Sequence, residues 1–116
     1  MSNRWRGHRG LRTDVHARAD GVTVALRGEL DLHQAGSVQE VWRTLVTRDD
    51  LDVVVLDLSD LELIDSTGIA FVLRAHGDCR RHGRELVIVR PPETVLHRFE
   101  ATGIVDHLAM VDEAPN

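Results

Sequence analysis

The chain predicts a single α/β domain: a mixed, mostly parallel β-sheet that opens with a β-hairpin and is covered by helices, in the order β-β-α-β-α-β-α-β. Three observations predict it. Two uninterrupted apolar, β-branched runs, Val53-Val54-Val55-Leu56 and Leu86-Val87-Ile88-Val89, read as strands covered on both faces. Segments with apolar residues at three-and-four spacing flank these runs, the alternation that gives parallel neighbours joined by right-handed crossovers. A length of 116 residues suits one domain with one core.

Each element follows from its residues. Leu11 to Arg18 alternates loosely, Ala19-Asp20-Gly21 supplies a turn, and Val22 to Leu26 is rich in strand formers, together an antiparallel hairpin. Val38, Val41, Trp42, Leu45 and Val46 line one face of a helix, which places Trp42 in the core. The run from Val53 is a central strand that polar Ser59-Asp60 is expected to end. A second helix spans Thr67 to Arg81, with Ile69, Val72, Leu73, His76 and Cys79 in one apolar arc and Gly83 as its stop. After the strand at Leu86–Val89, Pro91-Pro92 opens a third helix with Val95, Leu96 and Phe99 inward, Thr102-Gly103 closes it, and a short strand ends the fold between His107 and Val111.

Composition narrows the function. With 42% hydrophobic and 28% charged residues the chain is neither disordered nor fibrous, and its longest apolar run falls far short of the roughly 20 residues a membrane span needs. Residues 1–10 form a basic leader, expected to be flexible and without the apolar stretch of a secretory signal; residues 11–111 form the domain and 112–116 a tail. The expected location is the cytoplasm. Arg4, Arg6, Arg9 and Arg12 precede the first acid, so residues 13–116 carry ten arginines against nineteen acids, a net −9 that repels nucleic acid. All fourteen basic residues are arginine. A single cysteine, Cys79, precludes an internal disulfide.

The most informative stretch is Leu61-Glu62-Leu63-Ile64-Asp65-Ser66-Thr67-Gly68-Ile69-Ala70, where a strand delivers hydroxyl residues onto the start of a helix. Ser66 or Thr67 can serve as N-cap, a role that by itself justifies a hydroxyl. The second reading is chemical: a helix N-terminus offers free N–H donors and a positive dipole end, so Ser66 can carry a phosphoryl group, and Asp60, Glu62 and Asp65 would then build a strongly negative patch.

Gly28-Glu29-Leu30-Asp31, Asp57-Leu58-Ser59, Ile64-Asp65-Ser66-Thr67-Gly68 and Arg84-Glu85-Leu86-Val87-Ile88-Val89 together resemble the STAS domain family, specifically its small anti-sigma factor antagonists, from about Val22 to Leu108. The resemblance implies partner switching. An unphosphorylated antagonist binds an anti-sigma factor that is also a serine protein kinase and so frees a sigma factor for transcription, commonly in a stress response. The kinase phosphorylates the first hydroxyl residue after the motif's aspartate, here Ser66, and a PP2C-type phosphatase reverses this. Thr67 stands where many members have serine, and Ile69-Ala70 replaces a frequent Leu-Gly. The implied docking surface comprises Asp31, Asp65, Ser66, Thr67, Gly68 and Phe71. Phe71 reads either as an exposed aromatic anchor or as a side chain packed under a loop, and Asp31 either as partner surface or as a helix N-cap. The family also contains subunits and scaffolds of membrane transport or sensory assemblies, the alternative reading, and a homodimer is compatible with either.

Other chemistries fit less well. The Val53–Leu56 run ending in Asp57 is similar to a receiver's phosphoacceptor strand, but that family's lysine and early acidic pair are missing. His76-x-x-Cys79-x-x-His82 spreads its outer pair around a helix, which favours a core thiol and histidine over a metal site. No Gly-x-Ser-x-Gly elbow or glycine-rich phosphate loop occurs, so the expectation is a protein that is not an enzyme and needs no cofactor or metal.

Overall fold

A computed structural model describes residues 10–115; the expected flexible leader lies, apart from Gly10, outside the described residues. A five-stranded sheet runs in spatial order β1-β2-β3-β4-β5, with β1 Leu11–Ala17, β2 Gly21–Leu30, β3 Val53–Ile64, β4 Glu85–Val89 and β5 Met110–Val111. β1 and β2 pair antiparallel as the hairpin; every later pairing is parallel. The crossovers are helices α1 Ala35–Val46, α2 Ser66–Arg81 and α3 Glu93–Thr102, with a 3₁₀ turn at Val105–His107 before β5. The fold class and element order are those predicted from the sequence.

The helices form where apolar spacing meets a stop. Val38, Trp42, Leu45 and Val46 of α1 are buried, as are Val95 and Phe99 of α3, and α3 ends at Gly103 in the left-handed region at φ +76°, which only glycine enters cheaply. Val54, Leu56, Leu58, Leu61 and Ile64 of β3, each at most 1% exposed, form the middle of the core between the two neighbouring strands and the helices.

Three sequence readings are corrected. β3 does not end at Ser59-Asp60 but runs to Ile64, pairing with Leu30 of β2. Asp57 Oδ1 accepts from the Ser59 amide at 3.0 Å and its hydroxyl at 2.7 Å, so the polar residues satisfy one another within an irregular strand and Leu58, Leu61 and Ile64 still reach the core. The α2 arc is rotated: Leu73 is 41% exposed, while Gly68, Phe71, Val72, Ala75 and Cys79 face inward. Small Gly68 and Ala75 let the helix lie close to the sheet, which turns the buried stripe toward Phe71. Phe71 is accordingly no exposed anchor: it is 2% exposed and meets Trp42 edge-on, ring centroids 6.0 Å apart at 83°.

Candidate functional site

β3 ends at Ile64 and α2 begins at Ser66, so one residue, Asp65, makes the turn. It does so in extended conformation, φ −113° and ψ −174°, and is itself the N-cap, in place of Ser66 or Thr67: Oδ1 accepts the Gly68 amide at 3.0 Å. An aspartate caps as well as serine does and adds a full negative charge at the positive end of the helix dipole. Its second oxygen, Oδ2, accepts the Leu32 amide at 3.1 Å, and its own amide donates to the Leu30 carbonyl at 3.3 Å. One carboxylate thus fastens the β3–α2 turn to the β2–α1 loop.

That loop is built around Asp31. Its Oδ1 accepts from the amides of His33 and Gln34 at 3.0 and 3.2 Å, and its carbonyl accepts from Gln34 and Ala35 at 3.0 and 2.9 Å. Asp31 therefore orders the turn ahead of α1 and is not the cap residue, which is Gln34. Between the two aspartates Leu32 projects outward, 68% exposed. Sequence reasoning missed it. The available signal was an apolar residue stranded in a polar turn between a strand and a helix.

With capping assigned to Asp65, the hydroxyl of Ser66 is left over. Ser66 is the first residue of α2, is exposed, and its side chain has no hydrogen-bond partner among the described residues. Thr67 is half-buried beside it. Gly68 is buried against the strand ends: a Cβ there would stand 2.4 Å from the Leu30 carbonyl oxygen and 2.6 Å from Ile64 Cγ1. The missing side chain is what allows the first turn of α2 to close onto β2 and β3, and that closeness puts Ser66 next to the Leu32 loop. Further along the same helix face as Ser66 lie exposed Ala70 and Leu73.

The acidic surroundings are narrower than the sequence implied. Asp60 pairs with Arg27 at 3.1 Å and is four residues short of the end of β3, roughly 13 Å along a strand. Glu62, Asp65 and Asp31 remain near the helix entrance. Among the described residues no trio of His, Cys, Asp or Glu is grouped to hold a metal ion; Cys79 is buried and His82 Nδ1 is 2.9 Å from the Asp78 carbonyl oxygen.

Behind a parallel strand stands an aspartate-capped helix that begins with Ser66 and is tied to the loop of a Gly-Glu-Leu-Asp segment, and the STAS domain description fits residues 12–114. The chain belongs to the STAS domain family. The Anti-sigma-B factor antagonist of Listeria monocytogenes is 28% identical to it over 87 residues, three quarters of each chain. The Intermembrane phospholipid transport system binding protein MlaB of Haemophilus influenzae is 27% identical over 101 residues, 85% of this chain and 96% of that one. In three dimensions this STAS domain is similar to an anti-sigma factor antagonist from Mycobacterium paratuberculosis, TM-score 0.79 at 19% identity, over 90% of this chain and 87% of the other. No helix among the described residues is long and apolar enough to cross a membrane.

Proposed function

We propose that this STAS protein is an anti-sigma factor antagonist switched by phosphorylation of Ser66. Unmodified, it docks through the surface around Ser66, with Asp31, Asp65, Thr67 and Gly68 shaping that surface, onto an anti-sigma factor that is also a serine protein kinase, and so frees a sigma factor in the cytoplasm. It performs no catalysis itself. The kinase supplies ATP: Ser66 Oγ attacks the γ-phosphorus, the bond to ADP breaks, and the hydroxyl proton passes to a base of the kinase. A PP2C-type phosphatase hydrolyses the ester with water, returning the serine and releasing phosphate.

The observation that carries this reading is the Ser66 hydroxyl, exposed and spare at the first position of α2 because Asp65 does the capping. The N–H groups of a first helical turn and the dipole behind them stabilise an added phosphate, so the fold accepts the modification. The docked complex does not. Burying a dianion beside Glu62, Asp65 and Asp31 costs desolvation and repulsion, and about 3–4 kcal/mol weakens binding roughly 10²- to 10³-fold.

The test is incubation with ATP and the candidate anti-sigma kinase, with the phosphate located by mass spectrometry. Modification of Ser66, and loss of kinase capture in the modified protein, is the expected result. The MlaB similarity supports a second reading, in which the same surface docks into a membrane transport or sensory assembly. Absence of phosphate on Ser66 together with unchanged capture of Ser66→Asp and Ser66→Ala would favour it.

A further inference from the structure

We propose that β1 is a self-association edge: two copies pair their β1 strands antiparallel about a two-fold axis at Thr13, joining two five-stranded sheets into one. β1 is the outermost strand on its side, paired only with β2 among the described residues. Which backbone groups it leaves for a partner follows from the hairpin. The Arg18 amide donates to Gly21 and the Glu29 amide to Gly10, at 2.8 and 3.0 Å, and both bonds fall in the register that pairs Leu11 with Gly28 and Ala17 with Val22. Along an antiparallel ladder hydrogen-bonded pairs alternate with non-bonded ones, so Arg12, Asp14 and His16 turn their N–H and C=O groups toward β2. Leu11, Thr13, Val15 and Ala17 turn theirs outward.

A second β1 must therefore set odd residues opposite odd ones, which leaves few registers. Pairing Leu11 with Ala17 puts Asp14 directly against Asp14. Pairing Thr13 with Ala17 puts Val15 against Val15 but drops Arg12 beyond the paired segment. Pairing Leu11 with Val15 puts Thr13 on the axis and Arg12 opposite Asp14 twice, in the non-hydrogen-bonded positions where side chains come closest. Arg12 and Asp14 already share one sheet face within a chain, Arg12 Nε 3.0 Å from Asp14 Oδ2, with side chains 58% and 33% exposed. Two such pairs back to back give a ring of alternating charge. The same register covers Val15, at 43% among the few exposed large apolar residues, with Leu11 of the other copy. Edge strands usually deter pairing with charge. Here the charges are complementary to their own copy under a two-fold, which is what an isologous interface requires.

This inference does not depend on Ser66, which opens α2 just beyond the end of β3, and β3 is two strands in from the β1 edge. Sedimentation equilibrium on the full chain, over a concentration series, is expected to show a monomer–dimer equilibrium. Asp14→Arg, checked for folding by circular dichroism, should weaken the dimer about tenfold or more by opposing like charges, and the double reversal Arg12→Asp with Asp14→Arg should restore it. A monomer throughout, up to about 0.5 mM chain, would overturn the proposal. So would a dimer indifferent to Asp14→Arg, or a folded double reversal that fails to re-associate.

Discussion

Asp65 holds Leu32: one carboxylate oxygen accepts the Leu32 amide at 3.1 Å while the other caps α2 through Gly68 at 3.0 Å, so the two loops flanking Ser66 share a single anchor. Asp65→Ala removes a cap worth about 1 kcal/mol and the exposed hydrogen bond from the Leu32 amide, for a combined loss of about 2 kcal/mol in urea unfolding. Ser66→Ala, which breaks no hydrogen bond at an exposed position, should change stability by less than about 0.5 kcal/mol. Comparable losses for the two variants would show that Ser66 carries capping after all.

The same anchor predicts a kinetic effect. Asp65→Asn keeps one acceptor oxygen and loses the charge, so it should fold with a smaller loss than alanine yet hold only one of the two loops. Under the proposed function, kcat/KM for phosphorylation of Ser66 should fall for Asp65→Asn while the circular dichroism spectrum stays that of the parent. A substrate as good as the parent would mean the Leu32 loop plays no part in recognition.

Two glycines of one helix should respond with opposite signs. A methyl at Gly68 meets the Leu30 carbonyl at 2.4 Å and must displace backbone, so Gly68→Ala should cost about 1–3 kcal/mol despite alanine's better helix propensity. At Gly77 the new Cβ meets only the tip of Arg81, at 3.5 Å, and Gly77→Ala should stabilise by about 0.5–1 kcal/mol. Thermal melts of the pair decide it; equal shifts would show that α2 does not press on the strand ends as described.

The parallel strands were legible because Val53–Leu56 and Leu86–Val89 are apolar on both faces, and the strand-to-helix entrance at Asp65-Ser66 because polar residues there interrupt two different periods. The identity of the cap was not, because Asp65, Ser66 and Thr67 are all good cap residues and only the extended backbone of Asp65 selects among them. The inward face of α2 was misjudged for a related reason. Apolar bulk at Leu73 outweighed Gly68 and Ala75, yet close approach to a sheet is made by residues with little side chain.

The buried aromatic pair offers a stability test of that corrected face. Phe71 is buried against Trp42, whose Nε1 donates to Asp78 Oδ2 at 3.1 Å and so ties α1 to α2. Phe71→Ala should cost about 3–5 kcal/mol, the range for emptying a core aromatic site, and should lower the unfolding midpoint at unchanged slope. Phe71→Leu, which keeps most of the volume, should lose far less. A mild loss for alanine would return Phe71 to the surface and reopen its role as a docking anchor.

Cys79 connects the same helix face to pH. It is 1% exposed, and burial pushes its thiol up from the ordinary 9.0 to about 11, the neighbouring Asp78 charge adding to the effect. The folded protein therefore keeps the Cys79 proton over a range in which the unfolded chain has released it. Where the native state binds more protons, stability falls as pH rises. The contribution is thus whole below pH 9 and is lost progressively between 9.0 and about 11. Cys79→Ala removes that dependence at the expense of a small cavity, so its stability should be lower than the parent's near neutrality and decline less steeply above pH 9. Thiolate is the reactive form, so alkylation of Cys79 at pH 8 should be slow in native protein and fast in urea. Rapid modification of the folded chain at pH 8 would mean that α2 opens from the sheet far more often than its packing allows.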